Sequence, residues 1–193
     1  FGTLSQMKRD MMAEVAATLA FSTIANNDKV GVIFFSDKIE KYIPAQKGKT
    51  HVLHIIRELL SFEPSSKGTD MAQALQYFAN AQKRHCTAFL ISDFIGAGAV
   101  DKPLLIASNR HEVNAIQIYD RREAELPNIG LVKFHDAESD KDLWIDTSLA
   151  TVRDDYAQAW KQNQDLLEQL FTRTGVNHIS VRTDEDYVKA LMH

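Results

Sequence analysis

Two short stretches place oxygen-bearing side chains where a site would need them: Ser65-Ser-Lys-Gly-Thr-Asp-Met-Ala-Gln-Ala-Leu75 and Phe89-Leu-Ile-Ser-Asp93. In the first, Gly68 permits an unusual backbone angle and Thr69 or Asp70 can cap a helix. Ala72, Ala74 and Leu75 begin that helix's buried stripe. The second is an apolar run that stops at a carboxylate, as a buried parallel strand does where it leaves its sheet. Ligands of open parallel sheets sit outside the carboxyl ends of the strands, so Thr69 and Asp93 are expected to face one crevice. A hydroxyl and a carboxylate converging there suit a hard divalent cation, which takes oxygen ligands. On spacing alone, helix capping is the commoner use of a residue like Thr69, and turn formation of one like Asp93.

Other chemistry-bearing residues read more plainly. His51 and His54 lie one turn apart on a helix, but no further ligands stand at zinc spacing, so both read as surface histidines. Cys86 adjoins His85, yet neighbouring strand residues point to opposite faces, which makes Cys86 a structural thiol. Arg121 and Arg122 with Glu123 and Glu125 read as a local salt-bridge set. Trp160 reads as core, and Trp144 as a contact residue or a packing plug.

The elements that must position Thr69 and Asp93 alternate along the chain. A helix is predicted over 5–25, then an apolar strand, Val30 to Phe35, ending at Ser36-Asp37. A shorter strand follows over Lys38 to Ile43, closed by Pro44 and Gly48. Helices over Thr50–Phe62 and Thr69–Gln82 precede a strand over Thr87–Ser92 and a Gly/Ala loop over Phe94–Ala99. A helix over Asp101–Arg110 and a strand over Val113–Tyr119, ending at Asp120, complete the alternation, which argues a parallel sheet covered on both faces. Alternating runs at Ile129–His135 and Leu143–Asp146 then predict a β-hairpin at the sheet edge. A long helix over Ser148–Thr174 stops at Gly175, and a strand over Val176–Val181 and a helix over Thr183–Leu191 end the chain. No repeat, linker or low-complexity tract interrupts residues 1–193, so one domain is expected.

The 193 residues suffice for one α/β core, and 45% hydrophobic with 25% charged residues is ordinary for a globular protein. A net charge of -4 gives no electrostatic footprint for nucleic acid or an anionic membrane. The single Cys86 excludes an internal disulfide and fits a reducing, cytoplasmic compartment. No apolar run approaches the roughly 20 residues of a membrane span. Since the sequence opens Phe-Gly-Thr without Met, it is expected to be a segment of a longer protein.

The order strand, Ser-Asp, helix, Gly-Thr-Asp, helix, Leu-Ile-Ser-Asp resembles the von Willebrand factor A fold. More narrowly, the chain is similar to the bacterial domain-of-unknown-function family 58. Asn27-Asp-Lys-Val-Gly31 with Phe35-Ser-Asp37, Gly68-Thr-Asp70 and Asp120-Arg-Arg-Glu-Ala-Glu-Leu-Pro127 carry the likeness, with Trp144-Ile-Asp-Thr147 and Arg182-Thr-Asp-Glu-Asp-Tyr187. The resemblance implies a metal-ion-dependent adhesion site in which Thr69 and Asp93 are ligands of Mg²⁺ (or Mn²⁺ or Ca²⁺), with Ser36, Asp37, Gly68, Asp70 and Asp120 nearby. The family's first ligand loop, Asp-x-Ser-x-Ser, and the central strand before it are absent from this sequence. Metal affinity from Thr69 and Asp93 alone is therefore expected to be weak, and the gap invites closure by its neighbours or a strand from another chain, including a homo-oligomer. The resemblance further implies a MoxR-type AAA+ ATPase as partner. The expectation is thus a von Willebrand A-like, mostly parallel α/β domain that binds a protein and is not an enzyme. The alternatives are a Mg²⁺-dependent phosphohydrolase or phosphoryl acceptor built on Asp93, for which no Lys follows in a matching position, and a structural domain with a vestigial site.

Overall fold

Strand β6 (Glu112–Tyr119) organises the molecule because its side chains alternate between two apolar layers. Val113 and Ala115 join a cluster with Met71, Leu75, Leu104 and Phe171. Ile116 and Ile118 turn the other way and meet Met11, Val15 and Val181. A computed structural model describes residues 2–3, 6–66, 68–96, 99–136 and 141–191. Residues 1, 4–5, 67, 97–98, 137–140 and 192–193 lie outside them.

In chain order the elements are β1 (Gly2–Thr3), β2 (Gln6–Met7), α1 (Lys8–Asn26), β3 (Val30–Phe35), β4 (Ile39–Gln46), α2 (Lys49–Ser61), α3 (Met71–Ala81) and β5 (Thr87–Ser92). There follow α4 (Asp101–Ser108), β6, α5 (Arg121–Ala124), β7 (Leu131–Asp136), β8 (Lys141–Asp146), α6 (Ala150–Thr174), β9 (Asn177–Arg182) and α7 (Tyr187–Leu191). Strands β5, β6 and β9 form a parallel sheet in the order β5-β6-β9. Helices α3, α4 and α6 cover one face, and α1 and α7 the other. The mixed α/β architecture with helices on both faces of a parallel sheet is the one the alternation predicts. Helix α6 ends where expected, at Gly175 in the left-handed region (φ 66°), which returns its N–H to Phe171 and Thr172 carbonyls.

The sheet itself is divided. Strands β3 and β4 make an antiparallel hairpin of their own, and no ladder joins β3 to β5 among the described residues. The hairpin is held to the rest by shared helices. Helix α1 lays Met11 and Val15 on the β5-β6-β9 sheet and Ala20 on the hairpin, where Phe34, Ile43, Val52 and Ile55 complete a third cluster. Phe35 points oppositely and packs against the first cluster, as does Leu90 of β5. Strands β3 and β5 were expected to be buried on both faces, but Phe89 of β5 is 47% exposed. An unpaired edge leaves its side chains half solvated.

Several expectations need correcting. Strand β4 runs through Pro44, because an edge strand tolerates a residue without an N–H. Its partner bulges between Val30 and Val32, and a Cβ on Gly31 would come within 2.7 Å of the Ile43 carbonyl oxygen, so only glycine fits. Hairpin β7–β8 does not extend the parallel sheet but forms a separate two-stranded sheet. Helix α5, which was not expected, begins at Asp120. Trp160 is half-exposed and stacks on Tyr119 with ring centroids 5.3 Å apart, so it is no core residue. Trp144 is exposed. No helix among the described residues is long and apolar enough to cross a membrane.

Because β6 is hydrogen-bonded on both sides and β5 on one, amide exchange should rank them. The slowest-exchanging sheet amides are expected in β6, while those of β5 that face away from β6 should exchange at least about tenfold faster. Uniform protection across β5 would show that its second edge is paired.

Candidate functional site

The Gly68–Asp70 loop is fastened to the end of β3. The Asp70 N–H donates to the Ser36 carbonyl at 2.8 Å, and a Cβ on Gly68 would lie 3.4 Å from that of Asp37, so the loop rests directly on the Ser36-Asp37 turn. Asp70 caps α3 by accepting from the Gln73 N–H at 2.8 Å. Capping is therefore its role, and Thr69 is left exposed just before the helix. A second fastening comes from Glu40. Its carboxylate accepts from the buried Ser36 hydroxyl at 2.7 Å, from the Ser65 N–H at 3.0 Å and from the Ser65 hydroxyl. Those hydrogen bonds from Ser36 and Ser65 hold the Glu40 carboxyl below the usual glutamate range. Asp37 is exposed and lies 3.2 Å from the Ser36 hydroxyl.

Asp93 follows β5 on a tight turn. The Ile95 N–H donates to its Oδ1 at 3.2 Å, and Phe94 takes a left-handed backbone (φ 56°) that drives its ring into the core against Phe171. The remaining carboxylate oxygen is engaged by Lys8, whose Nζ stands 2.7 Å from Asp93 Oδ2. The same ammonium contacts Glu123 Oε1. Lys8 and Glu123 side chains are 13% and 4% exposed, and Asp93 31%, so this ion triad is mostly withdrawn from water. Burial works against the Lys8 charge, but the hydrogen bonds and charges of Asp93 and Glu123 outweigh it and raise its pKa.

Glu123 reaches this position through α5. Its Oε2 accepts from the Asp120 N–H at 3.1 Å while the Asp120 side chain accepts from the Arg122 N–H at 2.8 Å, a capping box. Asp120 is fully buried and also accepts from the Thr183 hydroxyl at 3.0 Å. Asp120 was expected beside the metal site, but its carboxylate is committed to organising α5 and the turn after β9. Glu123 leaves the salt-bridge set proposed for it, and only Arg121 with Glu125, at 3.3 Å, forms as expected.

The structure thus gathers the candidate residues into two groups. Ser36, Asp37, Gly68 and Asp70 meet at the end of β3, with Thr69 beside them. Asp93 stands at the end of β5 with Lys8 and Glu123. No hydrogen bond or ion pair links the two groups among the described residues, nor do three or more His, Cys, Asp or Glu side chains converge on a metal-sized point there. Lys8, Glu123 and Glu40 were missed from sequence. The Asp120–Glu123 spacing did carry the capping-box signal, whereas nothing local marks Lys8, whose partners lie 85 and 115 residues away. His51, read as a surface residue, in fact bonds the Val30 carbonyl at 2.8 Å and ties α2 to β3.

The family model for the protein of unknown function DUF58 matches residues 1–166. The chain belongs to the DUF58 family. Among relatives, this DUF58 chain is 31% identical over 192 residues to uncharacterized proteins of Mycobacterium bovis and Mycobacterium tuberculosis, covering 97% of its own length and 60% of theirs. It spans, that is, about three fifths of those relatives. An uncharacterized protein of Mycobacterium avium is 31% identical over 150 residues, covering 76% of this chain and 87% of that one. Among solved structures, the conserved hypothetical protein BatB of Bacteroides thetaiotaomicron superposes with a TM-score of 0.53 at 16% identity, covering 93% of this chain and 83% of that one. An aerotolerance-related membrane protein of Bacteroides fragilis gives 0.54 at 17% identity, covering 88% and 80%. These likenesses show a shared fold.

Two outcomes test the geometry of the DUF58 site. Lys8→Met leaves Glu123 buried without its cation and should cost about 3–5 kcal/mol of unfolding free energy at neutral pH, read by denaturant titration. Glu40, with a lowered pKa, supports the 62–70 loop above the ordinary glutamate range of about 4.3, and the support fades as pH falls through its own lower value. The Ser65 amide NMR shift should follow that lower midpoint, and Ser36→Ala should move the midpoint back up.

Proposed function

We propose that this DUF58 chain is a von Willebrand A-like protein-docking domain whose site presents a divalent cation, held by Thr69 and Asp93, to an acidic group on a partner. The observation that carries the reading is the position of the two residues. Thr69 lies between Gly68 and Asp70, which rest on the end of β3, Asp93 stands at the end of β5, and these two strands share a packing layer through Phe35 and Leu90. The donor chemistry, a neutral hydroxyl and a carboxylate, fits Mg²⁺ or Mn²⁺, and Asp37 and Ser36 offer further oxygens beside Thr69. Bound there, the ion would supply residual positive charge to attract an anionic ligand. The chain's own contribution is to orient Thr69 through the Glu40 and Ser36 fastenings and to hold Asp93 in its turn. Lys8 must release or share the Asp93 carboxylate for an ion to enter. Two protein ligands are few, so weak affinity is part of the proposal, with the remaining oxygens coming from water or from another segment or chain.

The partner we infer, on the family resemblance, is a MoxR-type AAA+ ATPase, and an ATP-driven partner places the domain on the cytoplasmic side. The reading is of docking and not of catalysis, because the Ser36 hydroxyl beside Thr69 is spent on the Glu40 carboxylate and no histidine is hydrogen-bonded to either group among the described residues. A second reading gains one observation. A phosphoryl acceptor at Asp93 needs a lysine, and Lys8 supplies one from α1, 2.7 Å away. What that reading lacks is a carboxylate cluster, since Asp120 is buried in its own hydrogen bonds.

Titration with Mn²⁺, followed by water-proton relaxation, separates the readings. Weak saturable binding should weaken at least about tenfold in Thr69→Ala and in Asp93→Ala, and a purified MoxR-type ATPase should bind the wild type in a Mn²⁺-dependent way. Binding indifferent to both substitutions would discard the adhesion-type site. Covalent labelling by acetyl phosphate that vanishes in Asp93→Asn would instead establish the phosphoryl acceptor.

A further inference from the structure

At the other end of β6 from Asp120, roughly 30 Å along the strand, His111 is 4% exposed and lies against Phe78, ring centroids 4.7 Å apart. Its Nδ1 is 3.6 Å from Cys86 Sγ. Burial pushes the Cys86 thiol's pKa up, so the sulfur keeps a proton that it can donate to Nδ1. Burial, together with His85 and Arg110, holds His111 below the usual histidine range, and a thiol that donates to Nδ1 leaves the neutral ring's proton on Nε2. That buried Nε2 has no hydrogen-bond partner. A desolvated N–H without an acceptor is unfavourable, and its presence in a folded protein calls for an occupant.

The surroundings say what kind. His111 lines a half-open cavity of about 400 Å³ with Gln82, Lys83 and Arg110. Lys83, Arg84 and Arg110 are exposed, and no carboxylate pairs with any of them among the described residues. Glu112, the nearest acid in sequence, is engaged by the Thr87 hydroxyl at 2.9 Å. A chain of net charge -4 thus keeps two cations without an ion-pair partner, Lys83 and Arg110, at one cavity mouth beside the buried His111 ring, with Arg84 next to Lys83 in the chain. A planar carboxylate offers two coplanar oxygens. A tetrahedral dianion can accept from a guanidinium fork, an ammonium and an N–H on different sides at once.

We propose that this cavity binds a phosphate group, free or esterified, with His111 Nε2–H, Arg110 and Lys83 as its donors. The site is separate from Thr69 and Asp93 and stands or falls independently of the cation there. Calorimetric titration with inorganic phosphate, O-phosphoserine and acetate at fixed ionic strength tests it. Saturable binding of phosphate or O-phosphoserine is expected, weakened about tenfold or more by Arg110→Gln and by His111→Phe, and the stronger of the two anions distinguishes a free from an esterified ligand. Phenylalanine keeps the ring packed on Phe78. Should that variant not fold, the His111 ring resonances of the wild type must shift with phosphate and not with equal chloride. Absence of saturable binding, binding that Arg110→Gln leaves intact, or acetate matching phosphate would each overturn the proposal.

Discussion

One ammonium group holds two carboxylates together at the rim of the parallel sheet. Lys8, in the first turn of α1, reaches Asp93 at the end of β5 and Glu123 in α5, and so ties the chain's first long helix to the rim of the parallel sheet. Two carboxylates share one cation with little water present. The ammonium is the member that cannot be spared, since its removal leaves two carboxylates uncompensated, that of Glu123 almost wholly buried. The capping box that presents Glu123 depends in turn on Asp120, which also fixes Thr183 after β9. The rim is one connected polar network anchored at Lys8.

The same helix solves a second difficulty. A parallel sheet is ordinarily continuous, and here β3 and β5 are not paired among the described residues. Cohesion must then come from apolar layers, and α1 spans both halves with Met11 and Val15 over one and Ala20 over the other. On the opposite face α3 plays the complementary part, since Met71 and Leu75 share a cluster with Phe35 and Leu90. Burial is non-directional, so it tolerates a missing ladder that backbone hydrogen bonding would not. The exposed Phe89 marks where that tolerance ends.

Periodicity made the layers legible in advance. The apolar runs at 87–92, 113–119 and 176–181, alternating with helices, specify a covered parallel sheet, whereas the run at 30–35 reads the same way and pairs instead in an antiparallel hairpin. Gly175 and Asp70 announce helix ends by their own chemistry. What could not be read was long-range and polar. Lys8 gives no sign in sequence that it will meet a carboxylate 85 residues on. Strand alternation rules out His85 as the partner of Cys86, but only the parallel pairing of β5 with β6 reveals that His111 takes that place. Asp120 looked like a rim ligand because it ends a strand, and only the fold shows that its carboxylate is consumed by backbone N–H groups and a hydroxyl. Strand ends announce where a crevice is, but which acids there remain available is decided by partners remote in sequence.

The charge arithmetic at the rim bears on the docking reading. With Lys8 in place, Asp93 and Glu123 leave the triad at about one negative charge, and an acidic partner group approaching Thr69 would be repelled. Under the proposed reading, a divalent ion held by Thr69 and Asp93 would reverse the sign, because the hydroxyl adds no charge and the carboxylate would cancel only half of the ion's. Lys8 can move without the helix moving, since its four-carbon stem is flexible and its point charge has no fixed fork to satisfy. Identity of the cation at Asp93, ammonium or metal, would therefore set whether the rim refuses or accepts an acidic ligand, with the fold unchanged in either state.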